Sequence, residues 1–406
     1  MDLHNPSGLT SLGIKALEQT AKQDNERKSL RIGIPRELTN QETRVCLTPS
    51  GVTTLVANGH EVLTETGAGR LSHFTDQHYA DAGAQIAYNP QEVYKNAELI
   101  LKVAPPTQPE MDQMVEGQVL ISALHLGSTR SNFYTQLQKK NITGIAFEFI
   151  REEDDTFPIV RILHEITGSM SIQLAAHYLE SFQKGQGIVL GGISGVPPAV
   201  VVILGAGIIG EYAARTALGY GAQVFVLDND LSSLRRIENA LDRRIVTAMA
   251  SHQYLTDAVK MADVLIGAVM DEGKRAPVWI TEPMVSLMKP GSVIVDTVID
   301  QGGCIATSRS TTHSDPVFLY NDIVHYGVPN IPAAVARTGT NALNNVLIPY
   351  VLAIGDAGGI TGALWSSTAL RRGTYLFNRT ITQKVVHEYT ELPYRDIELM
   401  MAAGFR

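Results

Sequence analysis

The sequence predicts an α/β protein of two doubly wound domains with mostly parallel sheets. Three observations predict it. Short apolar runs alternate with helix-length segments from Leu30 to Asn330, the pattern of strands covered by helices on both faces. The chain has 406 residues, too many for one ordinary core, so two or three domains are the natural expectation. Its 35 glycines outnumber its 18 prolines, which favours tight strand-to-helix turns over disordered linkers.

Composition narrows the function classes. A hydrophobic content of 44% with 18% charged residues is that of a soluble globular protein. The net charge of −8 gives no basic field, which argues against nucleic acid as a partner. Two cysteines, Cys46 and Cys304, make neither a disulfide scaffold nor a clustered metal site. A reducing cytoplasm fits that count. The first thirty residues lack the apolar core of a signal peptide, and no run reaches the length of a membrane span. The expected protein is soluble and cytoplasmic.

In the first unit RIGIP, HEVLTET, ELILKVAPP, QVLISALHLG and ITGIAFEFI read as strands. PSGVTTLVANG, DQHYADAGAQIA and the polar SNFYTQLQKKN supply helices between them, and Pro105 and Pro106 stop the third strand. REEDD, at 151–155, reads as a solvated loop. A second unit begins near Ile159 with the helix HEITGSMSIQLAAHYLESF and a loop of small residues, GQGIVLGGISGVPPA. VVILGAGIIGEYAARTALGYGAQVFVLDND follows as a β-α-β, then strands in DVLIGAV, SVIVDTV and HYGVPN. Past Pro332 the chain turns helical. This predicts a discontinuous first domain, 1–158 and 337–406, with a second domain, 159–336, inserted into it.

The β-α-β carries a nucleotide signal. Gly205, Gly207 and Gly210 stand directly after an apolar strand and before a helix. The first permits a tight turn, the second lets backbone approach a pyrophosphate, and the third lets helix and strand pack closely. The helix N-terminus offers N–H groups to the phosphates. The next strand ends on Asp228, where a carboxylate accepts from ribose hydroxyls and repels a 2′-phosphate. These features predict a Rossmann-like domain that binds NAD rather than NADP. Arg235 and Arg236 read as solvated helix residues.

Five other residues stand out. Lys102 ends an apolar strand, where it either has a task or snorkels to water. Arg44 suits bidentate recognition of a carboxylate, but an ordinary ion pair fits equally. His125, in ALHLG, is a proton-transfer group or a hydrogen-bonded core residue. In GSVIVDTVIDQGG, Asp296 and Asp300 close a hydrophobic strand, a costly place for carboxylates without partners. Four residues apart on a continuous strand they would share a face, whereas a turn after Thr297 would separate them.

GIPRE, ETRVCLTP, GHEVLTETGAG, ILKVAPP, ALHLG, GGISGVPPA, VVILGAGIIG, KPGSVIVDTVIDQGG, TTHSDP and PNIPAAVARTGTNAL occur in that order. Together they resemble the alanine dehydrogenase family, relatives of the alpha subunit of proton-translocating transhydrogenase, from about Arg31 to about Tyr350. The tail from Leu364 looks like an extension carried by one longer branch. The resemblance implies two domains with a catalytic cleft between them. It also implies reversible oxidative deamination of L-alanine to pyruvate and ammonia with NAD, through an iminium, with no metal needed. On this resemblance Arg44 and Lys102 hold the substrate carboxylate and carbonyl, and His125 and Asp300 are catalytic. Cofactor contacts fall on Gly205, Gly207, Gly210, Asp228, Val269 and Ile299. Asp296 is structural, and Gly302 and Gly303 leave Asp300 without a bulky neighbour. A homo-hexamer is implied as well.

The chain departs from the commonest family pattern at Ala104, at His164 before Glu165, at Ser169, at Asp271 and Glu272, at Gly327 and at Ile331. None of these removes a proposed catalytic residue. Two other readings remain: an NAD(H)-binding module like that of transhydrogenase, and a related opine or amino-acid dehydrogenase taking a larger amine.

Overall fold

The computed structural model describes residues 27–404, apart from 40, 127–128 and 271–274. The acidic loop residues Asp271 and Glu272 thus lie outside the described residues, as do most of the first thirty.

The first half of the chain supplies β1 (Arg31–Ile34), β2 (Glu61–Glu65), β3 (Gln85–Ala87), β4 (Leu99–Leu101), β5 (Val119–Ser122) and β6 (Thr143–Ala146). The middle supplies β7 (Val200–Leu204), β8 (Gln223–Asp228), β9 (Val246–Met249), β10 (Val264–Gly267), β11 (Val293–Asp296), β12 (Val317–Tyr320) and β13 (Ile323–Tyr326). The tail adds β14 (Thr374–Phe377) and β15 (Thr380–Ile381). They form two sheets, ordered β15-β14-β6-β5-β4-β1-β2-β3 and β12-β13-β11-β10-β7-β8-β9. Pairing is parallel throughout except at the edges, where β14 runs antiparallel to β6 and β15, and β12 to β13. The central strands VVVIL, VLIG and VIVD are buried almost end to end, as strands covered on both faces must be.

Helix starts follow local chemistry. Thr48 and Asn89 accept from the first-turn N–H of Gly51 and Glu92, each ahead of a proline at the first helical position. Asp230 accepts from Ser232 and Ser233 in the same way. Two helices of 21 residues, Pro158–Tyr178 and Ala336–Asp356, each about 30 Å long, link the halves. The first buries Ile159 in the core of the first sheet and Ile172 and Ala175 in that of the second. Leu343, Leu347, Val351 and Ile354 of the other helix pack into the first core.

The structure departs from the sequence expectations in three places. DQHYADAGAQIA ends in β3 rather than a turn. β9 and β12 are edge strands with part-exposed residues. The tail is not wholly helical: β14 and β15 are integral to the first sheet. REEDD is a largely exposed loop as expected, anchored at two points: Arg372 bonds Asp155 at 3.3 Å and Tyr350 donates to Glu152.

Candidate active site

Both sheets put their chemistry at the carboxyl ends of parallel strands. In the first sheet the order reverses between β1 and β4, in the second between β7 and β10. Ligands of such sheets sit at these switch points. Glu37 follows β1 and Lys102 follows β4; Gly205 follows β7 and Val269 follows β10.

Lys102 does not snorkel; it is 1% exposed. Its ammonium donates to Glu37 at 2.9 Å and Glu110 at 2.8 Å, leaving the third N–H of the three a lysine carries. Burial alone would lower its pKa, but the two carboxylates outweigh it and hold the pKa above the ordinary value. Glu37 is fixed by the N–H groups of Val103 (2.6 Å) and Ala104 (3.4 Å). Burial pushes its carboxyl up in spite of Lys102.

Arg44 is buried too. Its Nε donates to Glu42 Oε1 and its Nη2 to Oε2, both at 2.7 Å. Nη2 also reaches Asn330 Oδ1 at 3.0 Å. Nη1 is buried without a hydrogen-bond partner among the described residues. Burial would raise the Glu42 carboxyl, yet the Arg44 guanidinium brings it down to about 2. Gly339 makes the arrangement possible, because a Cβ there would lie 2.6 Å from Arg44 Cδ. Arg44 and Lys102 flank Cys46, whose thiol burial pushes up while both cations pull it down.

His125 follows β5 in the left-handed region, φ 50°, and its side chain is exposed. Glu148 accepts from the N–H groups of Leu124 (2.9 Å) and His125 (3.0 Å) and so holds that bend. Asp300 lies in the single 3-10 turn Ile299–Gln301 after β11. It is exposed to solvent, yet the protein around it desolvates its carboxyl enough to push the pKa up. The charges of His125 and Glu148 reach it from the other domain, His125 pulling it down and Glu148 pushing it up. His125, after β5, and Asp300, after β11, thus lie near enough for the imidazole to bias the carboxyl.

Asp296 plays a separate role. It is fully buried and accepts from the N–H groups of Val298 (3.3 Å), Cys304 (3.1 Å) and Ile305 (3.3 Å). Desolvation still lifts its pKa to about 6. β11 ends on it, so the two acids do not share a strand face. Gly303 serves Asp296 rather than Asp300, since a Cβ there would come within 2.8 Å of Asp296 Oδ2.

The glycine turn fits a dinucleotide. Gly205 has φ 99°, and a Cβ on it would strike Ala268 O at 2.5 Å. A Cβ on Gly210 would strike Gly205 O at 1.9 Å. At Gly207 an added Cβ meets no protein atom within 4 Å; it would fill the space where a pyrophosphate approaches the helix Ile208–Tyr220. Asp228 Oδ2 accepts from Ala206 N at 2.6 Å and Oδ1 from Asp230 N at 2.8 Å. Val269 and Ile299 are buried apolar residues at the ends of β10 and β11.

Arg236 is an exposed residue of the helix Leu231–Ala240, as the sequence reading has it, but its guanidinium is engaged. It donates to the carbonyl of Ala206 and pairs with Glu211, gripping the turn from outside. Sequence reasoning missed Glu37, Glu42, Glu110, Glu148 and Asn330 as partners of the site. The acid in GIPRE and the one beside ETRV were the only hints, because a carboxylate two residues from an arginine is common on surfaces. Among the family departures, Ala104 and Ile331 are buried and Ser169 donates to the Glu165 carbonyl at 3.0 Å. Gly327 leaves no room for a side chain, as a Cβ would meet Arg309 O at 2.2 Å. Burial brings the His164 imidazole down to about 4. Among the described residues no cluster of three or more His, Cys, Asp or Glu could hold a metal ion, and no single helix is long and apolar enough to cross a membrane.

Two doubly wound domains, one with a dinucleotide turn and the other with a pair of buried cations at its strand ends, define a two-domain nicotinamide-dinucleotide-dependent class. Residues 33–167 match the N-terminal domain of alanine dehydrogenase/PNT, and residues 171–384 match its C-terminal domain. The chain belongs to the alanine dehydrogenase/PNT family. It is 44% identical to an alanine dehydrogenase of Methanococcus maripaludis over 368 residues, 90% of this chain and 98% of the relative. It is 42% identical to an alanine dehydrogenase of Bacillus subtilis over 87% of this chain and 93% of the relative. A solved L-alanine dehydrogenase superposes with TM-score 0.85 at 39% identity, covering 89% of this chain and 99% of the other. A transhydrogenase from Sinorhizobium meliloti, at TM-score 0.74 and 21% identity over 87% and 99%, shares the fold.

Proposed function

We propose that this chain catalyses the reversible, NAD-dependent oxidative deamination of L-alanine to pyruvate and ammonia. The observation that carries the reading is the pair of buried cations at the carboxyl ends of the first sheet, with Arg44 Nη1 unpartnered among the described residues. Buried cations are costly unless paired or given a ligand, and a 2-oxo or 2-amino acid supplies the carboxylate.

Arg44 Nη1 takes the substrate carboxylate, and the third N–H of Lys102 takes the carbonyl or carbinol oxygen. Bound NAD supplies the hydride acceptor. Asp300 orients the water that adds to the iminium carbon or, in the reverse direction, the ammonia that adds to the pyruvate carbonyl carbon, and His125 moves protons between carbinolamine and solvent. Desolvation shifts the Asp300 carboxyl upward from its ordinary value, the direction that favours a proton-handling role. Gly205, Gly207 and Gly210 cradle the pyrophosphate, Asp228 accepts from the ribose, and Val269 and Ile299 face the nicotinamide half. We further propose the division into 1–158 with 337–406 and 159–336, a cytoplasmic location, and a homo-hexamer.

The test is nicotinamide absorbance with L-alanine and NAD, and with pyruvate, ammonia and NADH, run beside larger amines and NADP. Turnover with alanine and with pyruvate plus ammonia is expected. Asp300→Asn and His125→Ala should each lower kcat by about 100-fold or more while NADH still binds. NADH binding with no turnover on any pair sinks the reading and leaves a transhydrogenase-like binding module. Turnover only with larger amines moves it to an opine-type dehydrogenase.

A further inference from the structure

The loop before Arg44 joins the two domains. Glu42 lies in the first sheet's half and is 5% exposed, as is Arg44. Oε1 of Glu42 accepts from Thr43 N (3.1 Å), Arg44 N (2.9 Å) and Arg44 Nε (2.7 Å). Oε2 accepts from Arg44 Nη2 (2.7 Å) and, across the cleft, from Asn330 Nδ2 (2.9 Å). Asn330 closes the ring by accepting from Arg44 Nη2 at 3.0 Å. A guanidinium has five N–H donors in a fixed fork. Nε uses its one and Nη2 uses both of its own, so the two on Nη1 are what remains for a ligand.

The rest of the loop points the same way. Thr43 Oγ1 donates to the carbonyl of Ala333, and Gln41 bonds His313 N at 2.7 Å and Ser314 Oγ at 3.2 Å. His313 Nε2 is 2.8 Å from the carbonyl of Asn330. Asn330 itself directly precedes Ile331, which is buried in the core of the nucleotide-binding sheet.

We propose that Glu42 is a positioning residue: it leaves Arg44 a single donor nitrogen for the substrate carboxylate and, through Asn330, couples that anchor to the placement of the nucleotide-binding domain. Substrate affinity and domain placement then share one carboxylate. The proposal rests on the reading of Arg44 as the carboxylate anchor.

The experiment measures KM for L-alanine and pyruvate, kcat, and NADH affinity by fluorescence titration in wild type, Glu42→Gln, Asn330→Ala and the double variant. It adds L-alaninamide, which has no carboxylate. In Glu42→Gln both KM values should rise about tenfold or more with NADH affinity unchanged, and kcat/KM for alanine over alaninamide should fall by a similar factor. Asn330→Ala removes only the cross-cleft half and should raise KM less, and the two changes should not be additive. Should Glu42→Gln fail to fold, the KM and NADH affinity of Asn330→Ala decide alone. An alanine KM within threefold of wild type, an unchanged alanine-to-alaninamide ratio, or additive effects overturn the proposal. Wild type without alanine turnover overturns this proposal and the reading beneath it; wild type with turnover and unaffected variants overturns this one only.

Discussion

Gly207 and Gly210 belong to one motif, yet they answer to different neighbours. An alanine at Gly210 would drive its methyl to 1.9 Å from the Gly205 carbonyl oxygen, whereas one at Gly207 meets no protein atom within 4 Å. Gly210→Ala should therefore cost about 1–3 kcal/mol of stability, read as a lower urea midpoint. Gly207→Ala should leave that midpoint unchanged and weaken NADH binding about tenfold or more in a fluorescence titration. His164 makes a pH prediction. Burial brings its pKa from 6.5 down to about 4, so the folded state binds fewer protons than the unfolded one. Its contribution is fully present above pH 6.5 and is lost as pH falls through about 4. Unfolding free energies from urea titrations at about pH 7 and about pH 4.5 should differ by roughly 2 kcal/mol less in His164→Ser than in wild type. Glu42, held at about 2 rather than 4.5, contributes in the same direction but over a more acidic window.

Elements were legible where burial enforced a pattern and obscure where it did not. The central strands of both sheets read as apolar runs because both faces are covered. β9 is a four-residue edge with its end residues exposed, and β3 has three residues, so neither carries a period long enough to recognise. TYLFNRTI in the tail did hold a signal: two apolar pieces around Asn378 and Arg379, both at positive φ, the mark of a two-residue hairpin turn. Arg44, Lys102, His125 and Asp300 were candidates by resemblance; Lys102, His125 and Asp300 follow strand ends, and Arg44 lies in the loop between β1 and the helix Pro49–Ala57. Their carboxylate partners were not, because hydrogen-bond pairing across 65 residues, as in Lys102 with Glu37, leaves no local trace. The hairpin also makes a prediction. β14 covers the edge of β6 and sets Tyr375 edge-on to Tyr134 with ring centres 6.1 Å apart. Ending the chain after Gly373 should expose that edge and a buried aromatic face, giving aggregation instead of soluble protein, checked by the soluble yield and by size exclusion.

On the scale of the whole molecule, the two sheets share long helices. Pro158–Tyr178 buries side chains in both cores, so neither core can come apart without exposing apolar surface of the other. Heating should therefore give one cooperative transition, with near-ultraviolet circular dichroism and tryptophan fluorescence coinciding. NADH at about 100 times its Kd should add about 2.7 kcal/mol to that single transition. Two separate transitions, only one of them moved by NADH, would show that the shared helix does not couple the halves.

The carboxylate of Asp228 has a consequence for any attempt to redirect the enzyme toward a phosphorylated dinucleotide. It shapes the turn, through Ala206 N at 2.6 Å, as well as being the group proposed to accept from the ribose. Arg236, the nearby guanidinium that would welcome an extra phosphate, is already committed to the Ala206 carbonyl and to Glu211. Replacing Asp228 alone would remove the repulsion but also slacken the loop that grips both coenzymes. Coenzyme exchange in this chain is thus a problem of rebuilding Asp228, Ala206 and Arg236 as one unit, and single-site retargeting should yield a weaker enzyme for either coenzyme.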